Sequence, residues 1–216
     1  MKVGAAVLAG GQSRRMGRDK AFLPFGGRPL IERTLETLDR RFDRVLVVAN
    51  DLPRYAYLGR RVVADLRPGT GALGGIYTAV ALGTDEARPR VFVCACDMPF
   101  LDVALIDLLL REAAREADGG LPDVVVPEDP DAPDSSAGLH PLCAVYGRGV
   151  LPAIERRLAE GRLKVIGFYD DVRVRRVGAD ALARAGVPRH ALMNTNTPED
   201  LALAEAILAR TPGPGR

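Results

Sequence analysis

Four cations and three glycines fall within eleven residues near the amino terminus, Gly10-Gly11-Gln12-Ser13-Arg14-Arg15-Met16-Gly17-Arg18-Asp19-Lys20. They follow directly on the apolar run Val3–Leu8. A glycine-rich loop leaving a buried strand can wrap its backbone N–H groups around phosphate oxygens, while guanidinium and ammonium groups neutralise the charge. Lysine occurs elsewhere only as Lys2 and Lys164, so Lys20 beside this loop is not a routine surface lysine. The loop is not a P-loop, because Arg18-Asp19-Lys20 follows Gly17 where Gly-Lys-Ser/Thr is needed. It is not a dinucleotide fingerprint either, because Gly-x-Gly-x-x-Gly is absent. The competing explanation is a turn decorated with solvated basic side chains. The density of glycine and positive charge directly after a strand favours a phosphate ligand, with Arg15 and Lys20 as its cations.

Four further segments carry candidate chemistry. Cys96-Asp97-Met98-Pro99 puts a carboxylate at the end of a strongly apolar run. Mg²⁺ is typically held by one or two carboxylates together with substrate phosphate oxygens and water, a role that suits Asp97, although a simple turn cap is the alternative. Asp65 precedes Gly69-Thr70-Gly71-Ala72-Leu73-Gly74-Gly75, whose glycines let backbone approach a flat base or ribose closely. In Asn194-Thr195-Asn196-Thr197-Pro198-Glu199-Asp200, helix capping accounts for Thr197 and Pro198. It does not account for Asn194 and Asn196, expected at a strand end as polar-ligand contacts. His140-Pro141 precedes a strand, and a lone histidine there reads as structural. No Ser/His/Asp triad or His/Cys metal cage is legible.

The elements needed to position these residues follow from periodicity. Val3–Leu8, Val45–Ala49, Arg61–Ala64, Val91–Cys96, Val124–Val126, Leu142–Tyr146 and Val172–Val177 read as buried strands. Helices are predicted over Pro29–Leu38, Gly75–Leu82, Asp102–Glu116, Val150–Ala159 and Pro198–Arg210, with Asp102 and Thr197 as caps. Alternating strands and helices predict an α/β domain with a mostly parallel sheet, whose ligands bind beyond the carboxyl ends of the strands. Those ends are Gly10-Gly11, Asn50, Asp65 and Asp97. The acidic, Pro- and Ser-rich segment 128–138 reads as a mobile loop rather than a linker.

The 216 residues suit one domain, 1–210, with 211–216 as a frayed, disordered tail. A net charge of +2 argues against a dedicated nucleic-acid binder. Cys94, Cys96 and Cys143 make an odd count without disulfide-like spacing, which fits a reducing, cytoplasmic setting, with Cys94 and Cys96 on one strand face as core residues. No apolar stretch approaches the ~20 residues of a membrane span.

As a set, Leu8-Ala9-Gly10-Gly11 with Arg15-Met16-Gly17-Arg18-Asp19-Lys20, Val48-Ala49-Asn50, Asp65, Cys96-Asp97-Met98-Pro99, His140-Pro141 and Asn194–Leu201 resemble the molybdenum cofactor guanylyltransferase family, within the small nucleotidyltransferases. The resemblance spans Val3 to Leu208. It implies a single-domain Rossmann-like three-layer sandwich of the nucleotide-diphospho-sugar transferase type. The implied reaction joins GMP from GTP to the terminal phosphate of molybdenum-molybdopterin, with Mg²⁺, and releases pyrophosphate. By that resemblance Leu8, Ala9, Gly10, Gly11, Lys20, Asn50, Asp65 and Asp97 contact the nucleotide, and Asp97 is the metal ligand. Arg15, Lys20 and Asp97 form the catalytic set, and Gly75, Asn194 and Asn196 fall at positions implicated with the pterin. Transient contacts with molybdenum-insertion and cofactor-delivery proteins are implied as well. One departure stands out: the second loop has Ala72 and Gly74 where the family often has Pro and Ala. Gly10-Gly11 favours guanine. The alternative is a CTP-dependent or other nucleotidyltransferase acting on molybdopterin or another phosphorylated acceptor.

Overall fold

A computed structural model of the chain describes residues 2–9, 19–117, 119–129 and 138–210. Gly10, Gly11 and Arg15, most of the acidic segment and the tail 211–216 lie outside the described residues, so the expectations placed on them are not addressed by the geometry.

The described strands are β1 (Val3–Leu8), β2 (Pro24–Phe25), β3 (Arg28–Pro29), β4 (Val45–Val48), β5 (Arg61–Val63), β6 (Arg90–Ala95), β7 (Val124–Pro127), β8 (Cys143–Gly147) and β9 (Val174–Val177). The helices are α1 (Leu30–Asp39), α2 (Leu52–Tyr55), α3 (Gly71–Gly83), α4 (Val103–Ala114), α5 (Leu151–Ala159), α6 (Ala179–Arg184) and α7 (Pro198–Arg210). Seven strands form one sheet in the order β5-β4-β1-β6-β8-β7-β9. Only β8 among them runs against the others, pairing antiparallel with both β6 and β7. The mostly parallel α/β sheet expected from the sequence is therefore present.

The central strands are apolar throughout because both faces of the sheet are covered. Successive side chains alternate between two cores. Ala5, Val7, Val47, Phe92 and Cys94 pack with Ile31 and Leu35 of α1 and Leu105 and Ile106 of α4. Ala6, Leu46, Val48, Val91 and Val93 pack with Leu73, Ile76 and Val80 of α3 and Ile154 of α5. This gives three layers. Cys94 and Cys96 share the first core with Cys143, and all three thiols are buried and free.

Several element boundaries differ from those expected. α3 begins at Gly71 rather than Gly75, so five of the seven residues of the second glycine-rich segment open the helix. α4 ends at Ala114, where Arg115 has turned to extended backbone. β2 and β3 form a hairpin across Gly26 and Gly27, both at positive φ as a two-residue turn demands. α2 and α6 are too short to show a helical period. Asn194 and Asn196 do not end a strand. They sit in the loop before α7, where Thr197 Oγ1 accepts from the Asp200 N–H while Asp200 Oδ2 accepts from the N–H groups of Asn196 and Thr197.

Candidate active site at the carboxyl edge of the sheet

Strand register lines up the candidate residues. Val63, Val48, Leu8 and Ala95 stand in one row across β5, β4, β1 and β6. Two residues beyond that row come Asp65, Asn50 and Asp97. At about 4.8 Å per strand, Asp65 and Asp97 lie three spacings, roughly 14 Å, apart. A cleft of about 520 Å³ covers this edge, lined by Leu8, Ala9, Asp19, Lys20, Asn50, Asp65, Gly71, Gly75 and Asp97 among others. That volume suits a nucleotide-sized ligand.

One end of the cleft is built around Asp97. Its Oδ2 accepts from Lys20 Nζ at 3.2 Å, and the same ammonium donates to Asn196 Oδ1 at 2.7 Å. Three distant segments thus meet on one cation. The Asp97 carbonyl accepts from the N–H and the hydroxyl of buried Thr195, which ties the Asn194–Asn196 loop to the end of β6. Asp97 Oδ1 is buried and has no hydrogen-bond partner among the described residues. Burial pushes the Asp97 carboxyl above the usual carboxylate range, and Lys20 only partly offsets this. Asp97 lines the cleft, and a carboxylate oxygen without a protein partner is a hard donor of the kind Mg²⁺ takes, so the residues present fit that ion. Among the described residues no cluster of three or more His, Cys, Asp or Glu side chains could cage a metal without a ligand's help.

The other end is a rigid polar turn. Asn50 Oδ1 accepts from the Asp65 N–H at 3.0 Å. Asp65 Oδ1 accepts from the Arg67 N–H and from the hydroxyl of Thr78, which is fully buried on α3. Thr78 in turn accepts from the Leu66 N–H. Gly74 is required by close approach: a Cβ there would lie 2.7 Å from the Arg67 carbonyl and 2.1 Å from Thr70 Oγ1. Thr70 occupies the space that an alanine methyl would fill. Gly69 and Gly71 are required by φ values of +81° and +65°. A Cβ on Gly75 would press on the Leu8 side chain at 3.2 Å.

Between the two ends, the Tyr55 hydroxyl contacts the Ala9 carbonyl at 2.7 Å and Asp19 Oδ2 at 2.9 Å. Asp19 Oδ1 caps the short turn carrying Lys20 by accepting from the Ala21 N–H. Burial, reinforced by the Asp19 carboxylate, keeps the phenol protonated far above its ordinary range.

The structure brings Leu8, Ala9, Lys20, Asn50, Asp65 and Asp97 to one cleft, which Gly75 also lines. Asn196 joins them at the Lys20 end. Asn194 is half-buried in the same loop without lining the cleft. His140 is buried away from it, and burial lowers its imidazole pKa. Cys96 lines the cleft, and burial holds its thiol well above the usual range. Tyr55, Thr78 and Thr195 were not read from the sequence. Single hydroxyl residues give no spacing signal, and their partners are distant in the chain.

A mostly parallel α/β sheet thus presents a lysine–aspartate pair and a polar turn across its carboxyl edge, an arrangement suited to a nucleotide. Comparison with known proteins agrees: residues 5–174 match the family described as MobA-like NTP transferase domain. The chain belongs to that family and is a nucleotidyltransferase. It is 36% identical to a Pelotomaculum thermopropionicum protein named "Probable molybdenum cofactor guanylyltransferase", covering 97% of this chain and 95% of that one. It is 34% identical to the molybdenum cofactor guanylyltransferase of Desulfosudis oleivorans, covering 94% of each. Among solved structures, molybdopterin-guanine dinucleotide biosynthesis protein A from Archaeoglobus fulgidus superposes with a TM-score of 0.79 at 27% identity, over 98% of this chain and all of that one. No described helix is long and apolar enough to cross a membrane.

Proposed function

We propose that this protein transfers GMP from GTP to the terminal phosphate of molybdenum-molybdopterin, forming the guanine dinucleotide and pyrophosphate. The observation that carries this is the meeting of Lys20 Nζ with Asp97 at the cleft wall, where the second Asp97 carboxylate oxygen is buried without a hydrogen-bond partner among the described residues. The names of the full-length relatives support the choice of substrates.

In this account a pterin phosphate oxygen bonds to the α-phosphorus of GTP, and the bond from that phosphorus to the bridging oxygen of the β-phosphate breaks. The attacking phosphate is already an anion at neutral pH, so no strong general base is needed. The demand on the protein is alignment and charge neutralisation. Lys20, held by Asn196, would carry the charge growing on pyrophosphate, with Arg15 as a second cation. Asp97 would hold Mg²⁺, which supplies Lewis-acid charge neutralisation at the phosphate oxygens. Asn50 and the Asp65 turn would receive the nucleoside, with Gly10-Gly11 favouring guanine. Gly75, Asn194 and Asn196 are proposed on the pterin side. We place the reaction in the cytoplasm, with the pterin handed over and received by transient contact with insertion and delivery proteins. The chain 1–210 acts as one catalytic domain.

The test is a nucleotide panel with molybdenum-loaded molybdopterin, read by pyrophosphate release and product mass. GTP supports release and gives the guanine dinucleotide. A preference for CTP, or release without a pterin dinucleotide, contradicts the assignment.

A further inference from the structure

We propose that Tyr55 is a positioning residue for nucleotide binding: its hydroxyl clasps together the two chain segments that enter and leave the glycine-rich stretch, and so fixes Lys20 in the cleft. The proposal rests on the guanylyl-transfer assignment for its kinetic arm only.

The contacts are specific. Ala9 is the last described residue before positions 10–18, and Asp19 is the first after them. They reach the same hydroxyl, at 2.7 Å and 2.9 Å. Tyr55 is 1% exposed, and its contact with the Ala9 carbonyl is buried, while the Asp19 carboxylate stands at the cleft wall. One hydroxyl hydrogen therefore serves two acceptors. Removing the oxygen leaves a buried carbonyl without that donor and releases the carboxylate that caps the Lys20 turn.

The ring is held independently of its hydroxyl. It packs 5.0 Å from Phe22, whose outer face carries the Arg54 guanidinium at 4.3 Å. Arg54 also approaches Asp19 Oδ2 at 3.6 Å. Tyr55 ends α2, which starts just after Asn50. The same short connection therefore carries Asn50 to the nucleoside end and Tyr55 to the phosphate end. A residue serving only the core would have no need of a hydroxyl here, because phenylalanine makes the same ring contacts.

Tyr55→Phe is the direct test, with Tyr57→Phe as control, since among the described residues the Tyr57 hydroxyl meets only Glu32, at the surface. Loss of the clasp should raise KM for GTP about five- to tenfold, the scale of one net hydrogen bond. It should leave kcat within about twofold and leave KM for the pterin unchanged. In the free protein, amide exchange across residues 19–23 should accelerate by about the same factor. A merely structural loss would lower the melting temperature and the active fraction, and so kcat, without moving KM for GTP. Asp19→Ala opens the clasp from the other side, and combining it with Tyr55→Phe should give less than the product of the two single effects. Wild-type KM, or wild-type exchange over 19–23, in Tyr55→Phe overturns the proposal. If the wild-type protein releases no pyrophosphate from GTP, the guanylyl-transfer assignment fails instead, and the exchange experiment alone decides the clasp.

Discussion

Asp97 is a carboxylate kept in a costly place. Its pKa is raised because burial outweighs the attraction of Lys20, so its ionised form is less favourable in the folded chain than in the unfolded one. The linkage sign follows. A carboxyl whose folded pKa is raised contributes most to stability while protonated, and that contribution is lost as pH rises from the ordinary carboxylate pKa through the raised one. Two outcomes are expected. Asp97→Asn should reduce turnover by at least about a hundredfold, measured by pyrophosphate release, while its melting temperature at neutral pH equals or exceeds that of the wild type. A large drop in melting temperature would show that the pair is structural. In the wild type, the acid limb of the pH profile of kcat/KM, which reports the free enzyme, should lie above the range of an exposed carboxylate. An acid limb at or below that range contradicts ionised Asp97 as the controlling group. Lys20→Ala should chiefly weaken triphosphate binding or slow pyrophosphate departure, and unchanged kinetics would remove Lys20 from the site.

The turn from β5 into α3 is the element most exposed to substitution. Gly74→Ala puts a methyl against the Arg67 carbonyl, which belongs to backbone and cannot swing away. Overpacking of this kind costs about 1–3 kcal/mol, or about 2–4 °C in melting temperature per kcal/mol for a chain of this size. Because the same turn presents Asp65, the variant should also raise KM for the nucleotide. Thr78→Val keeps the shape of the side chain but strips Asp65 Oδ1 and the Leu66 N–H of a partner, at a cost of about 1–3 kcal/mol. A melting curve indistinguishable from the wild type would contradict the role given to this turn.

At this scale the sequence was legible where one local signal sufficed. Asp102 caps α4 as its position predicts, accepting from the Ala104 N–H. β1, β4 and β6 were readable as unbroken apolar runs. The start of α3 was not, because glycines that normally end helices are here required by close packing. The strand expected before Asn196 is a loop, because its order comes from Thr195 and Asp200 rather than from sheet pairing. Asp65, Asn50 and Asp97 were identifiable because strand ends face the ligand in parallel sheets. Their supports, Thr78, Tyr55 and Thr195, were not, because each depends on tertiary contacts that leave no mark on local spacing.

The whole molecule divides its site between two ends of one sheet edge, so a nucleotide bridging them should stabilise the fold as a unit. With GTP at about 100 times its dissociation constant, linkage predicts about 2.7 kcal/mol of stabilisation. That amounts to about 5–10 °C in melting temperature. CTP at the same concentration should give less. Equal shifts for both would remove the base selectivity assigned to this cleft.

The most direct measurement is a crystal structure with Mg²⁺ and a GTP analogue that cannot release pyrophosphate. The triphosphate should lie against the Lys20–Asp97 pair, with an Asp97 carboxylate oxygen on the metal and the guanosine toward Asn50 and Asp65. A triphosphate bound elsewhere, or one that leaves both Lys20 and Asp97 untouched, would contradict the account at its centre.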